Sequence, residues 1–174
     1  VLADLGADVV KVEPPAGDPL RHLDPLSGLL DPDVVEGGDA SPFYQVLNAG
    51  KTVTRLDLKS DGGKAQFRAL LQDADVVLES YRPGVMDRLG VGYEVLKKKH
   101  PNLIYCAISG FGQDGPLKSA PAYDQIIQGM AGVMSVTGTP ETAPLRVGYP
   151  MADTIGGMTA AFAVASALGN KDPN

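Results

Sequence analysis

Asp153 is the acidic residue whose setting is best suited to chemistry. It lies in the stretch LRVGYPMADTIGGM (145–158), between an apolar approach and a run of small residues that predicts a helix over 154–168. An aspartate just before a helix commonly accepts backbone N–H bonds as an N-cap, and this is its more common role. The same setting can hold an ionised, poorly solvated carboxylate that attacks an acyl group. Gly156 and Gly157 would then let a bulky substrate approach the backbone.

A second pair, Tyr123 and Asp124, follows Pro121 at the start of another predicted helix, over 123–133. Acidic residues are common in the first turn of a helix, so a structural role is the simplest interpretation. The alternative is a hydroxyl and a carboxyl that face a pocket.

A third group lies in the turn ESYRPG (79–84) with Arg88 on the helix that follows. Most surface arginines are simply solvated. An aromatic residue that can stack on a base, next to an arginine, could instead hold a nucleotide and its phosphate, and Lys59 could add a charge.

Several chemistries are not indicated. His22 and His100 are the only histidines, and their positions fit neither a metal site nor a Ser/His triad. The sequence has no GxxxxGK[ST] motif and no GxGxxG after a strand, which argues against a P-loop enzyme or a dinucleotide oxidoreductase. We therefore expect no bound metal.

Predicted strands and helices alternate along the chain. Short β-branched or apolar runs predict strands over 7–13, 52–58, 74–79 and 103–109, and helices are predicted over 63–72, 85–89, 93–99, 123–133 and 154–168. Alternation of this kind is typical of a layered α/β domain with a mainly parallel sheet, in which the apolar run 103–109 would be central. Residues 14–41 predict a long loop, and the loops 59–61, 80–84 and 110–121 should meet at one crevice.

Composition sets further limits. The chain of 174 residues carries a net charge of −6, which argues against a broad nucleic-acid surface but not against a small anionic ligand. The single cysteine, Cys106, predicts a buried thiol in a reducing compartment. No signal peptide and no bilayer-spanning apolar run is evident, so we expect a cytoplasmic protein without a membrane partner. The chain begins without Met, and we expect both ends to be cuts in a longer protein.

Together these stretches resemble the class III CoA-transferases, a family that includes formyl-CoA transferase, carnitine CoA-transferase and alpha-methylacyl-CoA racemase. The resemblance covers nearly the whole chain, and the stretches that carry it, in the family's order, are LADLGADVVKVEPPAGDPLR, NAGKTVTRLDLKSDGG, ADVVLESYRPGVMDRLGVGYEVL, PNLIYCAISGFGQDGP, PAYDQIIQGMAGVMSVTG and LRVGYPMADTIGGM. It implies a Rossmann-like large domain, a second domain and an interlocked homodimer. On this basis residues 1–174 are one partial domain, the front of the large domain without its first strand and helix.

The resemblance also implies a role for particular residues. Asp153 matches the aspartate that attacks the acyl-CoA thioester and forms a mixed anhydride, which CoA thiolate then relieves. Coenzyme A, as acyl-CoA, is the implied substrate, together with a carboxylic acid. The residues that match CoA-binding positions or lie beside the thioester are Leu56, Asp57, Lys59, Ser80, Tyr81, Arg82, Arg88, Tyr123 and Asp124.

Departures from the family pattern leave alternatives. Pro14 stands where several members carry an arginine that contacts CoA phosphate. Pro121 stands where formyl-CoA transferase has a lysine, which weakens the case for formyl-CoA and oxalate as substrates. Racemases have a histidine base at the position of Tyr123, and a tyrosine with a pKa near 10 is a poor base for that task. Acyl transfer is therefore favoured over racemisation. A third alternative is an inactive segment that binds CoA weakly or oligomerises.

Overall fold

The computed structural model describes residues 1–23 and 41–170. Most of the predicted 14–41 loop and the last four residues lie outside the described ranges. The chain divides into two compact units, Val1–Ala69 and Leu70–Asn174. The prediction of one partial domain over 1–174 stays a prediction.

The first unit is built on two parallel strands. Strand β1 (Val9–Glu13) pairs with β2 (Lys51–Arg55), in a register that places Val9 opposite Lys51 and Glu13 opposite Arg55. Between them lie a 3-10 turn (Pro19–His22) and helix α1 (Pro42–Asn48), and helix α2 (Asp61–Leu70) follows β2. Helix α1 was not predicted from the sequence, although Ser41 accepts the Tyr44 N–H and Pro42 occupies the first turn, as at many helix starts.

A buried carboxylate, Glu13 at the end of β1, organises the first unit. It is 1% exposed and accepts hydrogen bonds from the Tyr44 hydroxyl, from Arg21 Nε at 2.9 Å and from the Asp18 N–H at 3.2 Å. Lys11 and Arg21 both lie over the Tyr44 ring, 4.5 and 4.3 Å from its centroid. This network ties the segment after β1 and helix α1 to the strand.

The second unit is also built on a parallel pair. Strand β3 (Val76–Glu79) pairs with β4 (Ile104–Ala107), with Val76 opposite Ile104 and Glu79 opposite Ala107. The helices of this unit are α3 (Val85–Arg88), α4 (Tyr93–Lys99), α5 (Asp124–Met130) and α6 (Met151–Gly169), with a 3-10 turn at Val133–Val136. Helix α6 packs beside β4 and α5. Its buried residues are Ala160, Ala161 and Val164.

The α/β class and the parallel strand pairing are confirmed. The prediction that residues 103–109 form a central strand is wrong for the described ranges, in which β4 pairs with β3 alone and is half-buried throughout. Apolar character indicates burial but does not identify the neighbour that provides it. Cys106 is accordingly half-buried rather than buried, and partial burial together with the nearby Glu79 raises the pKa of its thiol.

Helix α6 is longer than expected because it begins at Met151 rather than at 154. With 19 residues it is long and apolar enough to cross a membrane by length and composition, so the expectation that no run reaches this length is wrong. Mostly buried core helices of soluble proteins pass the same test, whereas 17% of this helix's apolar window is buried within the described ranges.

Candidate active site

Asp153 lies inside the first turn of α6. The helix begins at Met151 with Pro150 as its N-cap residue, and the Thr154 N–H donates to the Pro150 carbonyl at 3.0 Å. The prediction that Asp153 is the N-cap of a helix over 154–168 is therefore wrong. As the third helical residue, its carboxylate still benefits from the partial positive charge of the helix N-terminus.

The capping role belongs instead to Asp124, the first residue of α5. Its Oδ1 accepts a hydrogen bond from the Ala152 N–H at 2.7 Å, which satisfies an unpaired donor at the start of α6. The Pro150 side chain cannot make such a bond. Because this contact comes from another helix, α6 can begin earlier than its own sequence indicates, and the Asp153 carboxylate is not used as the cap.

A buried amide, Gln128, completes this contact. It is one turn after Asp124 on α5 and donates from Nε2 to Asp124 Oδ2 at 2.6 Å. Its Oε1 accepts the Val147 N–H at 2.8 Å, and Nε2 also approaches the Tyr149 carbonyl at 3.4 Å. Residues 147–149 lead directly into α6, so Gln128 holds the approach to the helix while Asp124 holds its first turn.

Tyr123 and Asp124 have different environments. The Tyr123 residue is 70% exposed, whereas Asp124 is 6% exposed and both of its carboxylate oxygens accept hydrogen bonds. Both oxygens of the Asp124 carboxylate are therefore used within the fold, and the placement of Tyr123 and Asp124 beside the thioester stays a prediction. The segment just before α5 lies close to the end of β4. A Cβ on Gly110, just after β4, would lie 2.0 Å from the Ala122 Cβ, so this close approach requires glycine at position 110.

The electrostatic setting of Asp153 differs from that of an ordinary surface aspartate. Its side chain is exposed. Partial burial, followed by the negative charge of Asp124, raises the pKa of Asp153. One helical turn further on, a Cβ at Gly156 or Gly157 would meet nothing within 4 Å. The site thus combines an accessible carboxylate of increased basicity with open space next to it.

The predicted CoA-binding segment after β2 lies in the first unit. Asp57 and Lys59 are exposed, and Asp57 Oδ1 accepts the Lys59 N–H at 2.9 Å, which fixes a tight turn. Leu56 is 6% exposed and offers little side-chain surface to a ligand. A Cβ on Gly63 would lie 2.0 Å from the Asp57 carbonyl oxygen, so helix α2 can approach this turn only because residue 63 is glycine. Ser60 caps α2, since its Oγ accepts the Gly63 N–H at 3.0 Å.

The predicted nucleotide-binding turn after β3 lies in the second unit. The Val85 N–H donates to the Arg82 carbonyl at 3.1 Å, and Gly84 has φ 80° and ψ −3°, which together define a type II turn with Pro83 in its preferred place. Glu79 Oε2 accepts the Tyr81 N–H at 2.7 Å and orders the start of the turn. The predicted contacts of this region, all exposed, are Ser80, Tyr81, Arg82 and Arg88.

A cavity of about 610 Å³ adjoins this turn. Arg82 is the only predicted CoA-binding residue among those that line it, and the other charged lining residues are Glu79, Asp87 and Glu94. Because three carboxylates would repel the phosphates of a nucleotide, this cavity is a poor match for CoA.

The predicted site residues are therefore divided between the two units. Leu56, Asp57 and Lys59 belong to the first, and the others to the second. The predicted crevice would be formed by loops from both units, namely 59–61, 80–84 and 110–121. It stays a prediction. Gln128 was not among the predicted residues. Its position four residues after Asp124 on a predicted helix was the available signal, since such residues share a face.

Comparisons with known proteins place this geometry in context. The sequence matches the family model "CoA-transferase family III" over residues 1–174. An acetyl-CoA:oxalate CoA-transferase from Acetobacter aceti is 45% identical over 170 residues, 97% of this chain and 41% of that protein. A succinate–glutarate CoA-transferase from Agrobacterium fabrum is 40% identical over 173 residues, 97% of this chain and 42% of that protein.

The chain is also similar to solved structures. The crystal structure of a CAIB/BAIF family protein from Brucella suis superposes with a TM-score of 0.87 at 41% identity, over 96% of this chain and 43% of that one. The chain thus spans about two-fifths of the length of the relatives that it matches.

Proposed function

Because the chain belongs to CoA-transferase family III, we propose that it carries the reacting carboxylate of an enzyme that moves CoA from an acyl-CoA to a carboxylic acid. Asp153 is the nucleophile of this proposal. The observation that carries it is the release of Asp153 from the capping role: Asp124 caps the helix, and the Asp153 carboxylate is accessible beside open space.

The proposed reaction begins with attack of an Asp153 oxygen on the thioester carbonyl. The C–S bond breaks, CoA leaves as a thiolate, and a mixed anhydride joins Asp153 to the acyl group. The thiolate then attacks the aspartyl carbonyl of the anhydride, which forms an Asp153–CoA thioester and releases the first acid as its carboxylate. The reverse steps with a second acid form the new acyl-CoA and regenerate Asp153. The reaction consumes no water and needs no net oxidation or reduction.

Two features support Asp153 in this role. A carboxylate with a raised pKa is more basic, and for groups of one type greater basicity accompanies greater nucleophilicity. The first turn of α6 also provides a partial positive charge close to the developing oxyanion.

The acceptor class is proposed from the relatives. The names of the relatives from A. aceti and A. fabrum specify oxalate, succinate and glutarate, all short dicarboxylic acids. We propose an acid of this class for the present protein, as well as a homodimeric assembly for the whole protein. In the second unit, Arg82 and Arg88 are proposed to supply positive charge to the CoA portion. In the first unit, Lys59 in the turn after β2 stays a predicted CoA contact.

The direct test replaces Asp153 by alanine in the whole protein. The variant should lose transfer of CoA among a panel of short dicarboxylic acids and still bind CoA in a calorimeter. Retained turnover would exclude Asp153 as the nucleophile. The racemase alternative is tested in the same preparation by deuterium incorporation at the α-carbon of a 2-methylacyl-CoA, and we expect none, since Tyr123 stands where racemases have a histidine.

A further inference from the structure

Gln128 is among the least exposed polar side chains of the described ranges, with 1% of its surface exposed. Both ends of its amide are occupied, by the Val147 N–H on one side and by the Asp124 carboxylate and the Tyr149 carbonyl on the other. A buried amide with all these contacts is costly to alter, because each partner would lose a hydrogen bond away from water.

The orientation of this amide follows from the chemistry of its partners. The Val147 N–H is a donor and needs the Gln128 oxygen. Asp124 and the Tyr149 carbonyl are acceptors and need the NH2 group. A flipped amide would face donor to donor and acceptor to acceptor. Glutamine is therefore specified here both by shape and by polarity.

The contacts of Gln128 lead to the reacting carboxylate by two routes. One passes through Asp124, whose other oxygen holds the Ala152 N–H next to Asp153. The other passes through residues 147–149 to Pro150, where α6 begins. Both routes end within the helical turn that carries Asp153.

We propose that Gln128 is a positioning residue for acyl transfer, which holds Asp124 and the 147–149 segment so that the first turn of α6 presents Asp153 to the thioester. This inference rests on the proposed role of Asp153. Gln128 itself contacts neither substrate nor CoA; it acts through the hydrogen bonds described above.

The test uses Gln128→Glu in the whole protein, because this change keeps the shape and replaces the NH2 group by a carboxyl group. When protonated, the carboxyl group can still donate to Asp124 and accept from Val147. When ionised, it faces the Asp124 carboxylate on its own helix. On α6, the nearby acid of Asp124 is Asp153, whose pKa the Asp124 charge raises, and Arg146, the charged residue of the neighbouring segment, is exposed. Two buried like charges at this distance disfavour each other strongly.

We therefore expect kcat of Gln128→Glu at low pH to approach kcat of the unaltered protein at the same pH. As the pH rises and the carboxyl group ionises, kcat should fall by about tenfold to a hundredfold, the range that misplacement of a reacting group produces. KM for acyl-CoA and the Kd for CoA should stay within about twofold at both ends of the range, since the CoA contacts are elsewhere.

Gln125→Glu on the same helix is the matched control, because Gln125 is exposed and its variant should follow the unaltered protein at every pH. Gln128→Met has a side chain of similar length that cannot make the hydrogen bonds, so its kcat should be reduced at every pH. If Gln128→Glu does not fold, this reduction in kcat is the test of the positioning role. A pH profile of Gln128→Glu that matches Gln125→Glu would overturn the inference.

If both Gln128 variants lose CoA binding as well as kcat, the role of Gln128 is merely structural. That result would also overturn the proposed positioning role. The proposed function fails separately, through retained turnover in Asp153→Ala, whatever the Gln128 variants do.

Discussion

The Asp124 carboxylate accepts a hydrogen bond from the backbone N–H of Ala152 at 2.7 Å, and so caps the helix that carries the proposed nucleophile. This contact joins residues 28 positions apart and gives Asp124 two effects on Asp153. It holds the helix turn on which Asp153 lies, and its charge contributes to the raised pKa of Asp153.

The first prediction concerns Asp124→Asn. The asparagine oxygen can still accept the Ala152 N–H, but its NH2 group then faces the Gln128 NH2 group, so the hydrogen bond to Gln128 is lost. The negative charge is also removed, so the pKa of Asp153 should fall. Since the nucleophile must be ionised, the acidic limb of kcat against pH should move to lower pH. The measurement is a pH–rate profile for transfer, with Asp87→Asn, an exposed residue of α3, as the control. An acidic limb that stays in place or moves to higher pH would contradict the electrostatic role of Asp124.

The second prediction concerns stability in acid. Burial would raise the pKa of Glu13, but hydrogen bonds from Arg21, Tyr44, Lys11 and the Asp18 N–H outweigh burial and lower the pKa from its ordinary 4.5 to about 2. The folded state therefore binds its proton less readily than the unfolded state. The stabilisation is complete above about pH 4.5 and is lost as the pH falls towards 2.

Glu13→Gln should reduce the loss of unfolding free energy between pH 6 and pH 3, measured by urea denaturation of the whole protein. Glu94→Gln provides the control, since Glu94 is exposed and pairs only with Lys97 in the described ranges. An equal acid sensitivity in Glu13→Gln and the unaltered protein would exclude Glu13 as a source of that sensitivity.

The third prediction uses two adjacent glycines of α2. A Cβ at position 63 would lie 2.0 Å from the Asp57 carbonyl oxygen, whereas a Cβ at position 62 would meet nothing within 4 Å. Gly63→Ala should lower the unfolding free energy by about 1–3 kcal/mol, or more if the backbone cannot shift. Gly62→Ala should be neutral or stabilise by up to about 1 kcal/mol.

The same pair tests the proposed CoA-binding segment, because the Gly63→Ala clash displaces the turn that carries Asp57 and Lys59. CoA affinity, measured by calorimetry below the melting temperature of both variants, should weaken in Gly63→Ala and remain unchanged in Gly62→Ala. If both variants bind CoA equally while only one is destabilised, the turn is not part of the CoA site.

The fourth prediction concerns Arg88, which is exposed on α3 and is proposed above as a contact of the CoA portion. Its replacement by alanine should weaken CoA binding by about tenfold or more, the effect of losing one charge-assisted hydrogen bond. The effect should shrink at high salt because phosphate contacts are screened. Arg68→Ala, which removes an exposed arginine of α2, should leave the Kd unchanged. An unchanged Kd in Arg88→Ala would remove that residue from the site.

Local patterns were sufficient for much of this fold. Each predicted strand overlaps an observed strand, because short β-branched or apolar runs between turn residues identify strands without reference to the rest of the chain. The α/β class follows from their alternation with helices. Ser60 as the cap of α2 and the turn around Pro83 and Gly84 are also local features, set by residues within four positions of each other.

The errors occurred where distant residues decide the structure. Asp153 has the residue type and position of an N-cap, yet the cap comes from Asp124, and a sequence does not state which donor a distant carboxylate will meet. The partners of Gln128, at 147 and 149, are 19 and 21 positions away. The same reason explains the network around Glu13, in which Tyr44 is 31 positions from the carboxylate.

The most direct test of the central claim is mass spectrometry of the whole protein after incubation with short acyl-CoA donors and quenching with hydroxylamine. An aspartyl anhydride or thioester should be converted to a hydroxamate, and the modified peptide should contain Asp153. The signal should depend on the acyl-CoA and should be absent in Asp153→Asn. A hydroxamate on another residue, or full turnover without modification of Asp153, would contradict the account.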